Sequence, residues 1–516
     1  MNGGTNRPRD AGAGSAAVLH ALPLIVALLV PAFAVGDAAR AAGAGVTEFA
    51  AALARWTMLL GNTALVCVLA ASVSLVLGGA LALLVTRWNL PGRRLVAAAG
   101  LLGACLPLYV AMVAVFALVP THRLAGSTVA CGVLYGLVFS PLAGLVLGTV
   151  FRAADPDVEE HGLLDATAGQ VLRRIMLPQA RAGVAVAGLL VVWLVATDYT
   201  ITDLLVVRTL AEEVYTQFAL DRRHAGPLLT GLPLLVLSAL LLILLQRRGA
   251  WLGEQTGGRF DAPPRRFALG RGRWAAGAAA WLLVAVLVGL PLWALLRHVG
   301  PVANLWPAAW NLRPELTNSA LLAAAGATLC VLPAPGLAWL LSRGRCRWLL
   351  SAGVVAVLAT PAPVVGISLI ALLNRPALGW LYDSPAVVAA GYFVRFLPLA
   401  VLLLLPGIRR IPAEFEAAAR VDGSGWWRTH WHVRLPALRR DAAVAWLVVA
   451  ILAFGEIGTT VLVVPPGCDL AAVRAFTLLH FGVYRDLAVL ALLAGAAILL
   501  PWAGLLVLLK AGTKRV

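Results

Sequence analysis

"NTALVCVLAASVSLVLGGALALLVTR", residues 62–87, runs for twenty-five positions without a charge before it meets an arginine. An α-helix rises 1.5 Å per residue and the apolar core of a bilayer is about 30 Å thick, so roughly twenty such residues cross it. Comparable apolar runs stand at 183–197, 227–245, 274–296 and 486–509. Across all 516 residues 61% are hydrophobic and 13% charged, about half the charged share of a soluble domain. Such a surface is not solvated by water, and the chain reads as an all-α polytopic membrane protein. About twelve spans are expected, at 17–36, 57–86, 95–119, 126–151, 183–207, 227–246, 274–296, 316–341, 348–373, 384–406, 441–464 and 486–509.

A formal net charge of +17 suggests nucleic acid at first sight, but its distribution argues otherwise. With the N-terminus inside, the segments expected to face the cytoplasm hold 29 of the 41 Lys and Arg residues. That bias orients membrane proteins, so the basicity reports topology, with both termini cytoplasmic, and no nucleic-acid partner is expected. Arg7 and Arg9 before an apolar run, with Ala32-Phe33-Ala34 beyond it, have the form of a signal peptide. A counterpart of this run around Pro291 favours a retained span. The six cysteines show no C-x-x-C spacing and read as small packing residues.

The opening stretch is written twice. "NTALVCV" (62–68) and "LALLVTR" (81–87) return 256 positions later as "NSALLAA" (318–324) and "LAWLLSR" (337–343), and Pro107 returns as Pro363. Farther on the offset is 258: Leu177-Pro178 matches Leu435-Pro436, Asp198 matches Glu456, and Phe218 matches Phe476. Two tandem six-helix domains follow, 1–246 and 274–516, joined by a basic, Gly- and Pro-rich linker at 247–273 that is expected to be cytoplasmic. Parallel repeats of this kind are related by an axis along the membrane normal, with substrate between them.

Two polar loops stand at matched places. "EEHGLLDATAGQVLRRIMLPQARAG" (159–183) follows the fourth span and "EFEAAARVDGSGWWRTHWHVRLPALRRD" (414–441) follows the tenth. Each predicts a short helix, a break at Asp165 or at Asp422-Gly423, a second amphipathic helix, and a proline that ends it. Val171, Leu172, Ile175 and Met176 share one face of that second helix, as do Trp427, His430, Trp431 and Arg434. An amphipathic, Trp-rich helix beside a bilayer also suits the headgroup interface, but recurrence at equivalent places favours a built knob. His430 and His432 lack a third ligand nearby, and no metal site is expected.

These segments resemble the "EAA" loops of permease subunits in binding-protein-dependent ABC importers. The second copy carries Glu416-Ala417-Ala418-Ala419, Gly423 and Leu435-Pro436. The first carries Glu159 nineteen residues before Pro178, as Ala417 stands nineteen before Pro436, with Asp165 at the glycine position. Among fused two-half permeases the chain is most similar to the ferric-iron type, through "AEEVYTQFAL" (211–220), "YFVRFLPLAV" (392–401) and "FGEIGTTVLVV" (454–464). The resemblance implies type I importer architecture in a bacterial cytoplasmic membrane. It also implies two copies of a cytoplasmic ABC ATPase gripping the loops and an extracytoplasmic solute-binding protein on the other side. Trp426, Trp427, Trp431 and the flanking arginines then belong to the coupling surface.

ATP use by the chain itself needs G-x-x-x-x-G-K-[ST], and its two lysines, Lys510 and Lys514, are followed by Ala and Arg. ATP and Mg are therefore assigned to the partner, with no catalytic residue and no cofactor bound here. Asp198 and Glu456 lie about fifteen residues into their spans, roughly 20–24 Å deep. They either line a pathway, favouring a cation such as ferric iron or thiamine, or cap a helix break before Thr200 and Thr459 or pair with Arg395. A twelve-span secondary transporter is the rival class, coupling through intramembrane carboxylates instead of knobs.

Overall fold

The computed structural model describes residues 11–44, 46–106, 108, 112, 123–153, 155–221, 225–256, 267, 269–299, 305–344, 346–483 and 485–498. Within these the chain is helical, and the one extended pairing is a bridge between Trp88 and Phe267. Among the described residues eight helices are long and apolar enough to cross a membrane: Leu19–Arg40, Arg55–Arg87, Thr128–Arg152, Ala168–Thr197, Gly226–Gly249, Gly270–Val299, Arg313–Arg343 and Ala386–Arg410. A ninth is the pair Arg347–Ala359 and Ala362–Leu373, bent by 96°. Of the twelve expected, the third is helical over Arg93–Cys105 and turns extended at Leu106, and most of its remaining positions, Pro107 among them, lie outside the described residues. The last lies outside them beyond residue 498.

Two expected spans are interrupted. The stretch 183–207 is a helix only to Thr197, turns extended at Asp198 (φ −97°, ψ 140°), and restarts as Thr200–Leu204. The stretch 441–464 ends its helix at Phe454 and restarts at Thr460–Val463. The reason is chemical: Asp-x-Thr and Glu-x-Gly-Thr-Thr offer side-chain acceptors and hydroxyls that compete with the helical ladder.

Pro178 and Pro436 do not end their helices, contrary to the expectation. Residues 168–197 form one helix that absorbs the proline through a π-helical turn, Leu172–Met176, in which Leu177 N–H bonds Leu172 C=O. The second copy repeats this with His430–Arg434, and the step recurs at Ala285–Gly289 before Leu290-Pro291. A proline removes one donor and crowds the carbonyl four residues back. The wider i→i+5 turn just ahead relieves that crowding. The linker is also shorter than expected, because the helix begun at Ala225 continues to Thr256.

The halves share internal wiring. Thr63 Oγ1 accepts the Leu210 N–H at 3.1 Å, and Ser319 Oγ accepts the Ala471 N–H at 2.8 Å, each from the second residue of the repeated Asn-Thr/Asn-Ser pair. Asn62 and Asn318 donate to the Arg208 and Asp469 carbonyls beside them. Within the first half, 46–87 packs along 128–152 through small residues: a Cβ on Gly136 or Gly78 would strike Val73 or the Ser140 carbonyl. The first span of each half crosses to the other. Leu24 and Leu28 pack on Gly353, while Val288 packs on Gly103 and Trp281 on Gly92.

Candidate functional site

The first knob is a helix, Pro156–Asp165, joined by Ala166 and Thr167 to the helix 168–197. Asp155 caps the first helix by accepting the Asp157 N–H, and Gln170 Oε1 accepts the Thr167 N–H at the second start. Glu159 is fully buried and forms an ion pair with Arg87, the last residue of the opening stretch. Arg87 Nε also donates to Met176 Sδ at 3.2 Å. From the linker, Phe267 straps this arginine: its N–H bonds the Arg87 carbonyl at 2.8 Å and its ring lies 5.7 Å from the guanidinium.

The second knob is Ala413–Val421 followed by 426–454. Its buried acid is Glu416, and Ala417 and Ala418 are exposed. Glu416 Oε1 accepts from Arg343 Nη1 at 2.9 Å, Arg434 Nε at 3.1 Å and Trp339 Nε1 at 3.1 Å. Arg343 stands 256 residues after Arg87, so the two acids hold the same arginine of the repeat. This corrects the pairing of Glu159 with Ala417. The offset is 257 up to the turn and 258 after it, because the second turn has one residue more. Gly423 sits in that turn with φ 73°, a left-handed conformation that suits glycine, whereas Asp165 ends its helix before an extended Ala166 (φ −141°). The first copy needs no glycine there.

The faces expected to be shared on the second helices are partly buried. Val171 and Met176 are buried, as are His430 and Arg434. Arg434 lies 4.3 Å over Trp339 and 5.0 Å from Trp426, whose ring stacks on His430, and His20 from the first span closes this cluster at 4.3 Å from Trp426. Burial, with His20 and Arg434 adjacent, lowers the His430 pKa to about 4. Exposed instead are Val158 and Leu164 on the first knob, and Phe415 and Val421 at the matching positions of the second, joined by Trp427, Trp431 and Leu177. Pro178 and Pro436 are exposed, while Leu435 is half-buried. His430 and His432 differ in burial, and among the described residues no three His, Cys, Asp or Glu gather to hold a metal.

At the broken spans the halves touch. Asp198 Oδ1 accepts the Thr200 N–H at 2.9 Å and the Tyr135 hydroxyl at 2.7 Å, and Oδ2 accepts the Thr200 hydroxyl. Glu456 Oε1 accepts the Thr459 N–H at 2.8 Å, and Oε2 accepts both Thr460 groups. Both acids thus cap the restarted turns. Tyr199 donates to the Gly458 carbonyl at 3.2 Å, tying one break to the other across the two halves. Arg395 stands beside Glu456, Nε to Oε1 3.7 Å, and within electrostatic reach of Asp198.

Arg87, Arg343, Trp339 and His20 were missed as site residues by sequence reasoning. The two arginines ended the quoted repeat, and their shared offset was the available signal.

The profile of the family described as "binding-protein-dependent transport system inner membrane component" matches residues 327–511. The chain is 36% identical over 141 residues to a putative ABC transporter permease protein ORF1 of Streptomyces antibioticus, covering 27% of this chain and 60% of that one. It is 30% identical over 139 residues to a probable sulfate transport system permease protein of Marchantia polymorpha, covering 25% and 48%. It thus spans about half to three fifths of those relatives. To the molybdenum transport system permease protein ModB of Mycobacterium tuberculosis it is 31% identical over 193 residues, covering 34% of this chain and 71% of that one. On that coverage and the family profile, the chain belongs to the binding-protein-dependent inner membrane components, the permeases of ABC transporters.

Proposed function

We propose that this chain forms the translocation pathway of an ATP-driven importer, with the knob end cytoplasmic, one ATPase subunit on each knob and a solute-binding protein on the opposite face. The observation that carries this reading is the pair of knobs, each nailed to its half by a buried acid–arginine contact while an apolar pair faces outward. A surface that transmits force must be fixed beneath and complementary above. The halves, 1–246 and 274–516, then rock about the Tyr199–Gly458 contact. On the solute, ferric iron or thiamine needs free carboxylates, and both candidate acids are spent on helix caps. Relatives named for sulfate and molybdenum transport turn the reading toward an oxyanion.

The test is assembly. The purified chain alone should turn over no ATP and should bind two copies of its ATPase, measured by native mass. Leu164→Asp and Val421→Asp should each remove one copy, and together both. ATP hydrolysis by the chain alone, or two ATPases retained on the double variant, would overturn the proposal.

A further inference from the structure

The two halves meet at matched helix breaks, yet one charge there has no twin. "YGLVFSPLA" (135–143) and "YFVRFLPLA" (392–400) correspond residue for residue at an offset of 257, with Tyr135 beside Asp198 and Tyr392 beside Thr460. At the fourth position the first half has Val138 and the second has Arg395. Resting on the importer reading, we propose that Arg395 is the solute-recognising residue of the pathway and that the solute it fits is a small oxyanion.

The hydrogen-bond inventory supports this choice. A cation would have to meet carboxylate oxygens, but those of Asp198 and Glu456 already accept backbone and hydroxyl donors at 2.6–3.2 Å. Taking them would uncap both restarted turns. Arg395 is the reverse case. Its Nη1 is buried and meets no hydrogen-bond partner among the described residues. Its contact with Glu456 at 3.7 Å is far longer than the 2.7–2.9 Å of a tight charge-assisted bond. An orphaned donor on a loosely held guanidinium is costly unless something completes it. The guanidinium fork matches two oxygens of a tetrahedral anion. Arg395 lies about 14 Å into the helix Ala386–Arg410, near mid-membrane, where an ionisable group normally serves transport. Its neighbours Glu456 and Asp198 belong to the two breaks that Tyr199 and Gly458 tie together, so parting the halves opens this place first.

The experiment uses the full transporter, the chain with its ATPase and binding protein in vesicles, with labelled sulfate and molybdate as probes against ferric citrate. Arg395→Met should lower oxyanion uptake by about ten- to a hundredfold, the worth of one charged hydrogen bond, while ATPase stimulation by the binding protein persists. Arg395→Lys should retain part of the uptake. The double variant Arg395→Met/Glu456→Gln separates recognition from mere neutralisation of Glu456. Uptake still lost in the double variant supports recognition; uptake restored there overturns it. Wild-type uptake of iron in preference to both oxyanions overturns it as well. A wild-type complex whose ATPase ignores its binding protein refutes the importer reading itself, before any variant is made.

Discussion

The first knob holds one arginine against one acid; the second holds two arginines against one acid and surrounds them with rings. At 176 and 434, one position of the repeat, stand Met and Arg. In the first knob Arg87 therefore gives its Nε to sulfur and its terminal group to Glu159, both side chains out of water. In the second, Arg434 takes the place of the sulfur, and Glu416 is shared between Arg434, Arg343 and the Trp339 N–H. Arg343 is a quarter exposed and also donates to the Ile411 carbonyl at 2.7 Å. The same mechanical task is done once by an isolated buried pair and once by a redundant network. Isolated pairs fail outright when one partner is lost, whereas networks degrade in steps.

The largest expected effect breaks the isolated pair. Glu159→Gln or Arg87→Met leaves an uncompensated buried charge and should cost about 3–5 kcal/mol, read as a lower melting temperature of the purified chain and lost ATPase binding at the first knob. Arg87→Met/Glu159→Gln removes both charges and should recover most of that loss. In the second knob Arg434→Met copies the first knob's residue and leaves Arg343 on Glu416, so it should cost only about 1.5–3 kcal/mol. Equal losses for Arg87→Met and Arg434→Met would remove the distinction between pair and network.

A smaller effect tests the turns. Gly423 has a positive φ and no atom within 4 Å of where a Cβ would stand, so Gly423→Val is strained by backbone alone, by about 1–2 kcal/mol. Ala166→Val occupies an extended conformation that β-branched residues favour and should be neutral. If both variants bind ATPase equally well, the extra residue of the second turn has no conformational role.

Much of this was legible, for identifiable reasons. Span existence follows from apolar length, and the duplication from residues such as Asn62/Asn318 and Leu177/Leu435. The breaks were foreseeable as an alternative because Asp, Thr and Gly carry their own local chemistry. Three things were not. The π-turns depend on how a helix accommodates Leu-Pro, which composition does not state. The crossing of His20 onto Trp426 joins positions four hundred residues apart. The burial of Arg434 beneath the knob, with Phe415 and Val421 outside, depends on rotation about a helix axis, which a one-residue insertion at Gly423 shifts for everything after it.

The smallest expected effect is one of pH, and it belongs to the second knob alone. His430 faces His20, Arg434 and the rings of Trp426 and Trp431, and Arg434 in turn holds Glu416; its counterpart in the first knob is Leu172. Burial, with His20 and Arg434 adjacent, lowers its pKa from 6.5 to about 4, so the undocked knob binds a proton near pH 6.5 and the docked knob resists until about pH 4. Docking is thus fully favoured above pH 6.5 and loses strength as pH falls toward 4, the sign expected when the open state binds more protons. Between pH 7 and 5, above the ordinary carboxylate range of about 4, amide-exchange protection of 426–434 should weaken while that of 168–176 holds. His430→Leu, which writes the first knob's residue into the second, should shrink the difference and leave what the buried His20 beside it contributes. Persistence of the full pH effect in that variant would assign it to another group of the cluster and remove His430 as the source of the difference between the knobs.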